Sequence, residues 1–291
     1  VMAEAYAPRN GPDRRHDIRS ATKSITALLI GILLEEGQLK SVSTPLSNLL
    51  PETFASLDAD DPRRQITVED ALTMRTGLAC DDWAPASVGQ EDKMYKTQDW
   101  AAFLLALPIS HEIGAHFSYC TGGVILLGRV IEQLGGQPVP AFAQQHLFDP
   151  LGIRDAEWAE TPGGHTDTGG HLELRLQDLY RIGQLVAQDG EGNGQQIVSR
   201  RWVRTITSEQ TPVPDRRERY GYLWWLNEGT VAGQAVSLVY AHGNGGNFIF
   251  IVPELGLVAA FNANNYNSRE QFIPMQILSE EMIPALLTSE E

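Results

Sequence analysis

Ser20 and Lys23 stand three residues apart at the head of RSATKSITALLIGILLEEGQL, residues 19–39. On a helix, positions i and i+3 share a face, so the hydroxyl and the amine can touch. From Ile25 to Leu34 almost every side chain is apolar, and Glu35, Glu36 and Gly37 close the segment as a helix end. A helix apolar all round is a buried helix, and a lysine within it is costly unless it is used. Burial is expected to push its pKa down, making it a base able to take the serine proton. Ser20, in the first turn, also sits where free backbone N–H groups and the positive helix end favour a developing anion. A Ser and a Lys at this spacing also arise by chance in a chain of this length. Against chance stands the lysine count, since the chain has only four and the other three lie in polar surroundings.

Two further places could complete such a site. Tyr119, in HFSYCTGGVILLGRVIE, stands on a turn just before a Gly-Gly helix start. It is either a core aromatic with a satisfied hydroxyl or a proton carrier. His242 lies in YAHGNGGNFIFIVPELGLVAAF, between two strand-like runs. The glycines after it let a ligand approach the backbone, and the Gly245 N–H can donate to an oxyanion. The alternative is a hairpin turn that needs positive φ.

Competing motifs are weaker. No G-x-S-x-G elbow is present, which argues against an α/β-hydrolase. HEIGAH spaces His111 and His116 one residue too far apart for a zinc helix. His165, Asp167 and His171 could ligate a metal, but their spacing matches no common site and a surface loop is the preferred reading. GEGNGQ lacks the flanking strand of a phosphate loop, and Trp224-Trp225 reads as core and cleft wall. Nothing calls for a cofactor or a metal.

The elements that must hold these residues can be read in outline. Residues 1–8 alternate as a strand, and 20–36 form the buried helix. Residues 45–150 read as mostly helical, with Thr67 capping VEDALTMRT and Gly77 stopping it. Further helices are expected at TQDWAAFLLAL and GGVILLGRVIEQLGG, and after the glycine-rich TPGGHTDTGG. YGYLWWLNEG, VSLVYAHG, NFIFIVPELG and LVAAFNAN are short β-rich runs, and REQFIPMQILSEEMIPALL closes the chain as a helix. The order suggests one sheet built from both termini with a helical insertion.

With 291 residues, 42% hydrophobic and 20% charged, the chain has the composition of an ordinary globular protein. A net charge of -15 argues against nucleic acid and anionic membrane surfaces. The longest apolar run, from Ala27 to Leu34, is too short to span a bilayer. The chain starts without Met and without a signal peptide, and reads as a fragment or a mature form. Its two cysteines, Cys80 and Cys120, match neither a zinc site nor a dense disulfide framework.

Taken together, S-x-x-K on a buried helix, Y-x-[NST] about a hundred residues later and H-G-x-G near the C-terminus resemble the penicillin-recognising serine hydrolases. The likeness is to class C β-lactamases, D-alanyl-D-alanine carboxypeptidases, family VIII esterases and 6-aminohexanoate-dimer hydrolases. ITVEDALTMRTGL looks like the family's helix ending in T-S-G-L, and YGYLWWL like a later landmark. The resemblance implies an α+β, β-lactamase-like fold, with an antiparallel sheet flanked by helices, an all-helical region, and the site in the cleft between them. Residues 1–45 and 165–291 would form the α/β region and 46–164 the helical one.

By the same resemblance Ser20 becomes the acylated nucleophile, Lys23 its proton partner and Tyr119 the second base and acid. His242 stands in for the Lys or His of K-T-G or H-T-G. The backbone N–H groups of Ser20 and Gly245 become the oxyanion hole, and Thr121, Gly243 and Asn244 border the substrate. Thr121 replaces the Asn of Y-x-N, and His242-Gly243-Asn244 replaces K-T-G, which favours a small ester or amide over a β-lactam. A slow-acylating penicillin-binding sensor or scaffold, a β-lactamase and a D,D-peptidase are the alternatives. In related folds the segment after the TMRTGLA helix runs close to the tyrosine loop, which suggests a Cys80–Cys120 bridge. Two separate reduced thiols are the alternative. Many family members are exported, so a periplasmic or secreted location is preferred. Oligomeric state stays open.

Overall fold

The computed structural model describes residues 3–7 and 10–288. Its centre is a pair of long helices packed on each other, Ala21–Glu35 and Thr121–Gly135. The first is buried continuously from Ala21 to Leu33, as its apolar sequence demands. The few polar side chains on it are each anchored. Thr26 Oγ1 donates to Thr168 O at 2.9 Å and Ser24 Oγ to Leu223 O at 2.6 Å. Thr22 Oγ1 accepts the Leu172 N–H at 3.3 Å. The helix is thereby stitched to residues 168–172 on one side and to Leu223 on another, at a position fixed by hydrogen bonds as well as burial.

A six-stranded antiparallel sheet runs in the spatial order Leu257–Phe261, Asn247–Val252, Gln234–Gly243, Trp225–Val231, Arg219–Tyr220, Thr211–Pro212. These are the β-rich runs of the last third of the sequence, and Asn247–Val252 is buried along its whole length. The helix Leu176–Ala187 covers the sheet's Leu257–Phe261 edge. The closing segment 269–288 is helical as expected.

The start of the chain departs from expectation. Val1, Met2 and Pro8 lie outside the described residues, and residues 3–7 have no regular structure. The first strand is Arg15–Asp17, and it pairs with Leu172–Arg175 in a separate three-stranded sheet completed by Glu157–Trp158. The single sheet built from both termini does not form. Arg-His-Asp is too polar for a strand within the apolar sheet; Arg15 instead pairs with Asp155 at 2.8 Å and with Glu157.

Residues 45–150 carry several short helices joined by irregular segments. Thr67 does cap Val68–Leu72, in a reciprocal pair with Asp70: the Asp70 N–H donates to Thr67 Oγ1 at 3.1 Å and the Thr67 N–H to Asp70 Oδ2 at 2.8 Å. That helix ends at Leu72, before the expected Gly77, and Met74 is already left-handed at φ 59°. Among the described residues, no helix is long and apolar enough to cross a membrane.

Cys80 and Cys120 are joined, with Cα atoms 5.5 Å apart. Cys120 is the residue immediately ahead of the helix Thr121–Gly135, so the bridge ties the loop after Leu78 to the base of that helix. Closing a loop of this length should contribute roughly 3–4 kcal/mol by restricting the unfolded chain. The double variant Cys80→Ala/Cys120→Ala is therefore expected to lose about that much in urea unfolding. A change below about 1 kcal/mol would show that the loop is held by its other contacts.

Candidate active site

Ser20 ends the turn that enters the first long helix, and Lys23 lies one turn on. Lys23 Nζ donates to Ser20 Oγ at 3.1 Å and to the Gly169 carbonyl, and stands 5.3 Å from the centroid of the Tyr119 ring. Three residues far apart in sequence thus meet at one ammonium group. Ser20 and Lys23 touch as their spacing predicts, and Tyr119 lies beside them as the family resemblance implies. Burial pushes the Tyr119 phenol pKa up, opposed first by the Lys23 charge and then by Ser20, and the net direction is upward.

Electrostatics reverse one expectation. Lys23 is 1% exposed, and burial alone would lower its pKa. Yet Tyr119 and the carboxylates of Glu91, Asp82 and Asp167 outweigh burial, and the net direction is upward. Lys23 is an ammonium, not a free amine. The acidic surroundings were not foreseen in the sequence. Asp82 is itself pushed up to about 6, first by burial and then by Glu91, with Lys23 and Thr121 opposing. Its carboxylate accepts the Thr121 N–H at 2.6 Å and the Glu91 N–H at 2.9 Å, while its own N–H donates to Tyr119 O at 2.8 Å. Thr121 Oγ1 donates to Glu91 Oε2 at 2.9 Å. Thr121, expected to border the substrate, is instead fully buried with its hydroxyl taken.

The glycine turn closes the other side. An added Cβ at Gly243 would lie 1.9 Å from the Ile18 carbonyl, so only glycine lets this strand end approach the turn that presents Ser20. Gly245 has φ +95°, a conformation that glycine alone adopts without strain. Gly245 pairs with Asn265 in an antiparallel bridge, the Asn265 N–H donating to Gly245 O at 2.9 Å. Asn244 spends its side chain on Asn267: its Nδ2 donates to Asn267 Oδ1 at 2.8 Å and its Oδ1 accepts the Asn267 N–H at 3.0 Å. His242 stacks on Phe248 at 4.4 Å, and burial, aided by Arg216, pushes its pKa down to about 4. It is neutral at physiological pH and brings no positive charge to the cleft.

An aromatic wall completes the site. Trp83, 42% exposed, stacks on Tyr119 with centroids 5.0 Å apart and on Trp225 at 6.0 Å, and Arg216 covers it at 4.1 Å. Trp225 faces this cluster, whereas Trp224 is wholly buried. Neither Trp83 nor Asp82 carries a motif. Only the Cys80–Cys120 pairing, which draws residues 81–83 to Tyr119, could have found them. The glycine-rich segment is not the surface loop expected: Asp167 is 1% exposed and lies 2.7 Å from His171 Nδ1. His165 pairs instead with Glu132 at 2.8 Å. Among the described residues, no group of three or more His, Cys, Asp or Glu is arranged to hold a metal.

The chain that places a serine and a lysine on one buried helix beside a tyrosine is similar to known proteins. The Beta-lactamase family profile matches residues 2–279, and the chain belongs to that family. It is 26% identical over 220 residues to the 6-aminohexanoate-dimer hydrolase of Paenarthrobacter ureafaciens, covering 71% of this chain and 54% of that one. It is 30% identical over 179 residues to the lovastatin esterase of Penicillium rubens, covering 56% of this chain and 42% of the relative. The chain spans about half the length of these curated relatives. Among solved structures, one from Bacillus anthracis, provisionally named a 6-aminohexanoate-dimer hydrolase, superposes with TM-score 0.82 at 19% identity, over 99% of this chain and 76% of its own.

The ammonium offsets three carboxylates, so removing it should cost stability as well as activity. Lys23→Met is expected to lose about 3–5 kcal/mol in urea unfolding at neutral pH, the cost of leaving buried charges unpaired. The loss should shrink as the pH falls below about 6, where Asp82 takes up a proton and no longer needs a cation. A neutral-pH loss below about 1 kcal/mol would mean that the carboxylates do not depend on Lys23.

Proposed function

We propose that this chain is a serine hydrolase that cleaves a small ester or amide through an acyl-enzyme on Ser20. The observation that carries the proposal is the proton arrangement around Ser20. Lys23 donates to Oγ as an ammonium and has no lone pair to offer, and its Nζ stands 5.3 Å from the centroid of the Tyr119 ring. In this reading the proton acceptor is Tyr119 as its phenolate: burial keeps the phenol protonated at rest, and the Lys23 charge favours the deprotonated form that reacts once the phenol proton has left to solvent.

Ser20 Oγ attacks the substrate carbonyl carbon as its proton passes to the phenolate Oη of Tyr119, which becomes the neutral phenol. The carbonyl oxygen becomes an oxyanion held by the backbone N–H groups of Ser20 and Gly245. On collapse, the carbon–heteroatom bond breaks and Tyr119 returns the proton to the leaving alcohol or amine. Water then attacks the acyl-enzyme with Tyr119 again as base, releasing the acid and restoring Ser20. Relatives named a 6-aminohexanoate-dimer hydrolase and a lovastatin esterase support this class of reaction.

Substrate preference follows from what the cleft lacks. With His242 neutral and Thr121 committed to Glu91, neither can hold the carboxylate or amide of a β-lactam. Short esters should be turned over with higher kcat/KM than nitrocefin. A fluorophosphonate probe should add its mass at Ser20 alone, and Ser20→Ala should abolish turnover of p-nitrophenyl butyrate. Tyr119→Phe should lose on the order of 10²–10⁴ in kcat. Labelling at another serine would overturn the assignment of the nucleophile, and a higher kcat/KM for nitrocefin would overturn the substrate class.

A further inference from the structure

Asp167 and His171 take no part in the steps above, yet they touch both halves of the machinery. Asp167 Oδ1 accepts the N–H groups of Gly169 and Gly170, each at 3.0 Å, and so fixes the loop whose Gly169 carbonyl receives the Lys23 ammonium. That loop is wedged tightly: a Cβ added at Gly169 would lie 2.4 Å from Thr121 Cγ2 on the tyrosine helix. Asp167 Oδ2 lies 2.7 Å from His171 Nδ1, and His171 Nε2 lies 2.8 Å from Arg19 Nη1. A guanidinium only donates, so Nε2 accepts and the imidazole proton sits on Nδ1, facing Asp167. Arg19 is the residue before Ser20 and is held left-handed at φ 52°, a costly conformation for a non-glycine residue that persists only where the surroundings impose it. The Arg19 N–H donates to Asp17 Oδ1 at 2.8 Å, and its guanidinium covers the Tyr266 ring at 4.7 Å.

We propose that Asp167 and His171 are positioning residues for the acyl-transfer site, holding the Lys23 ammonium through the Gly169 carbonyl and the Ser20 backbone through Arg19, and that they do so only while His171 is neutral. This rests on the acyl-transfer reading given above. The groups facing the imidazole are Asp167, Arg19, Asp17 with Oδ2 4.0 Å from Nε2, and the edge-on ring of Tyr95 at 5.9 Å. The hydrogen bond to Asp167 raises the imidazole pKa most, burial opposes it, the charges of Asp167 and Asp17 add to the rise, and Arg19 opposes it; the net direction is upward. Protonation places an N–H on Nε2 against the guanidinium and removes the acceptor that Arg19 uses. Activity should therefore fall as the pH drops through a value above the ordinary imidazole one.

Two substitutions of one residue test this. His171 has φ +57°, a conformation that asparagine tolerates better than glutamine. His171→Asn keeps a donor for Asp167 but cannot reach Arg19. His171→Gln offers Arg19 an acceptor that takes no proton. At pH 8 the Gln variant is expected within about threefold of wild type. The Asn variant should lose about 10- to 100-fold in kcat on p-nitrophenyl butyrate and in the rate of fluorophosphonate labelling at Ser20, with KM little changed. The acid limb of kcat/KM should move to lower pH in the Gln variant. Asp82, titrating at about 6, contributes to the limb equally in both. An Asn variant as active as the Gln variant, or an unmoved acid limb in the Gln variant, would overturn the positioning role. Wild type that neither turns over the ester nor labels at Ser20 would defeat the acyl-transfer reading itself, and this inference with it.

Discussion

One buried ammonium group organises the cleft. Lys23 at 1% exposure could not stay charged alone, because transfer of an isolated cation from water into a protein interior is prohibitively costly. It stays charged because Ser20, the Gly169 carbonyl and the carboxylates of Glu91, Asp82 and Asp167 surround it. Each partner comes from a different stretch of chain. The need to satisfy this group therefore brings the first helix, the loop after Cys80 and the glycine-rich segment before Leu172 to one point.

The supporting structure follows from that need. The disulfide and the hydrogen bonds of Asp82 to Thr121 and Tyr119 hold the tyrosine turn against the acidic loop. The polar side chains of Thr22 and Thr26 bind the first helix to residues 168–172, the segment that carries the Lys23 carbonyl partner. Gly243 lets the edge of the sheet reach the Ile18 carbonyl, ahead of Ser20. Short, fully satisfied polar contacts in a low-dielectric interior hold a geometry far more narrowly than apolar packing does. That rigidity is what proton transfer between Ser20 and Tyr119 requires.

The part of this visible in the sequence was the part written in local patterns. The apolar helix with Ser20 and Lys23, the tyrosine turn and the glycine hairpin at His242 all announce themselves by spacing. So do the β-rich runs of the last third. The acidic ring was not visible, because Asp82, Glu91 and Asp167 are scattered among many carboxylates in a chain of net charge -15 and become special only by long-range contact. The upward pKa of Lys23 is hidden in the sequence for the same reason: burial can be read from the helix, but its countercharges cannot. His171 and Asp167 looked like a polar loop because glycine, threonine and histidine are loop-forming residues, and only the fold carries that segment between the two central helices. The polar first strand, too, took its partner from charge pairing that no local pattern records.

The central claim is that Lys23 is an ammonium in the resting protein and that Tyr119, not Lys23, takes the serine proton. With four lysines in the chain, the side-chain Nζ and Cε resonances can be resolved by NMR, and Lys23 assigned by the signal lost in Lys23→Arg. The expected result is that the Lys23 signals keep their ammonium shifts up to at least about pH 10, the ordinary lysine value. A change to free-amine shifts between about pH 7 and 9 would contradict the account and return the role of base to Lys23.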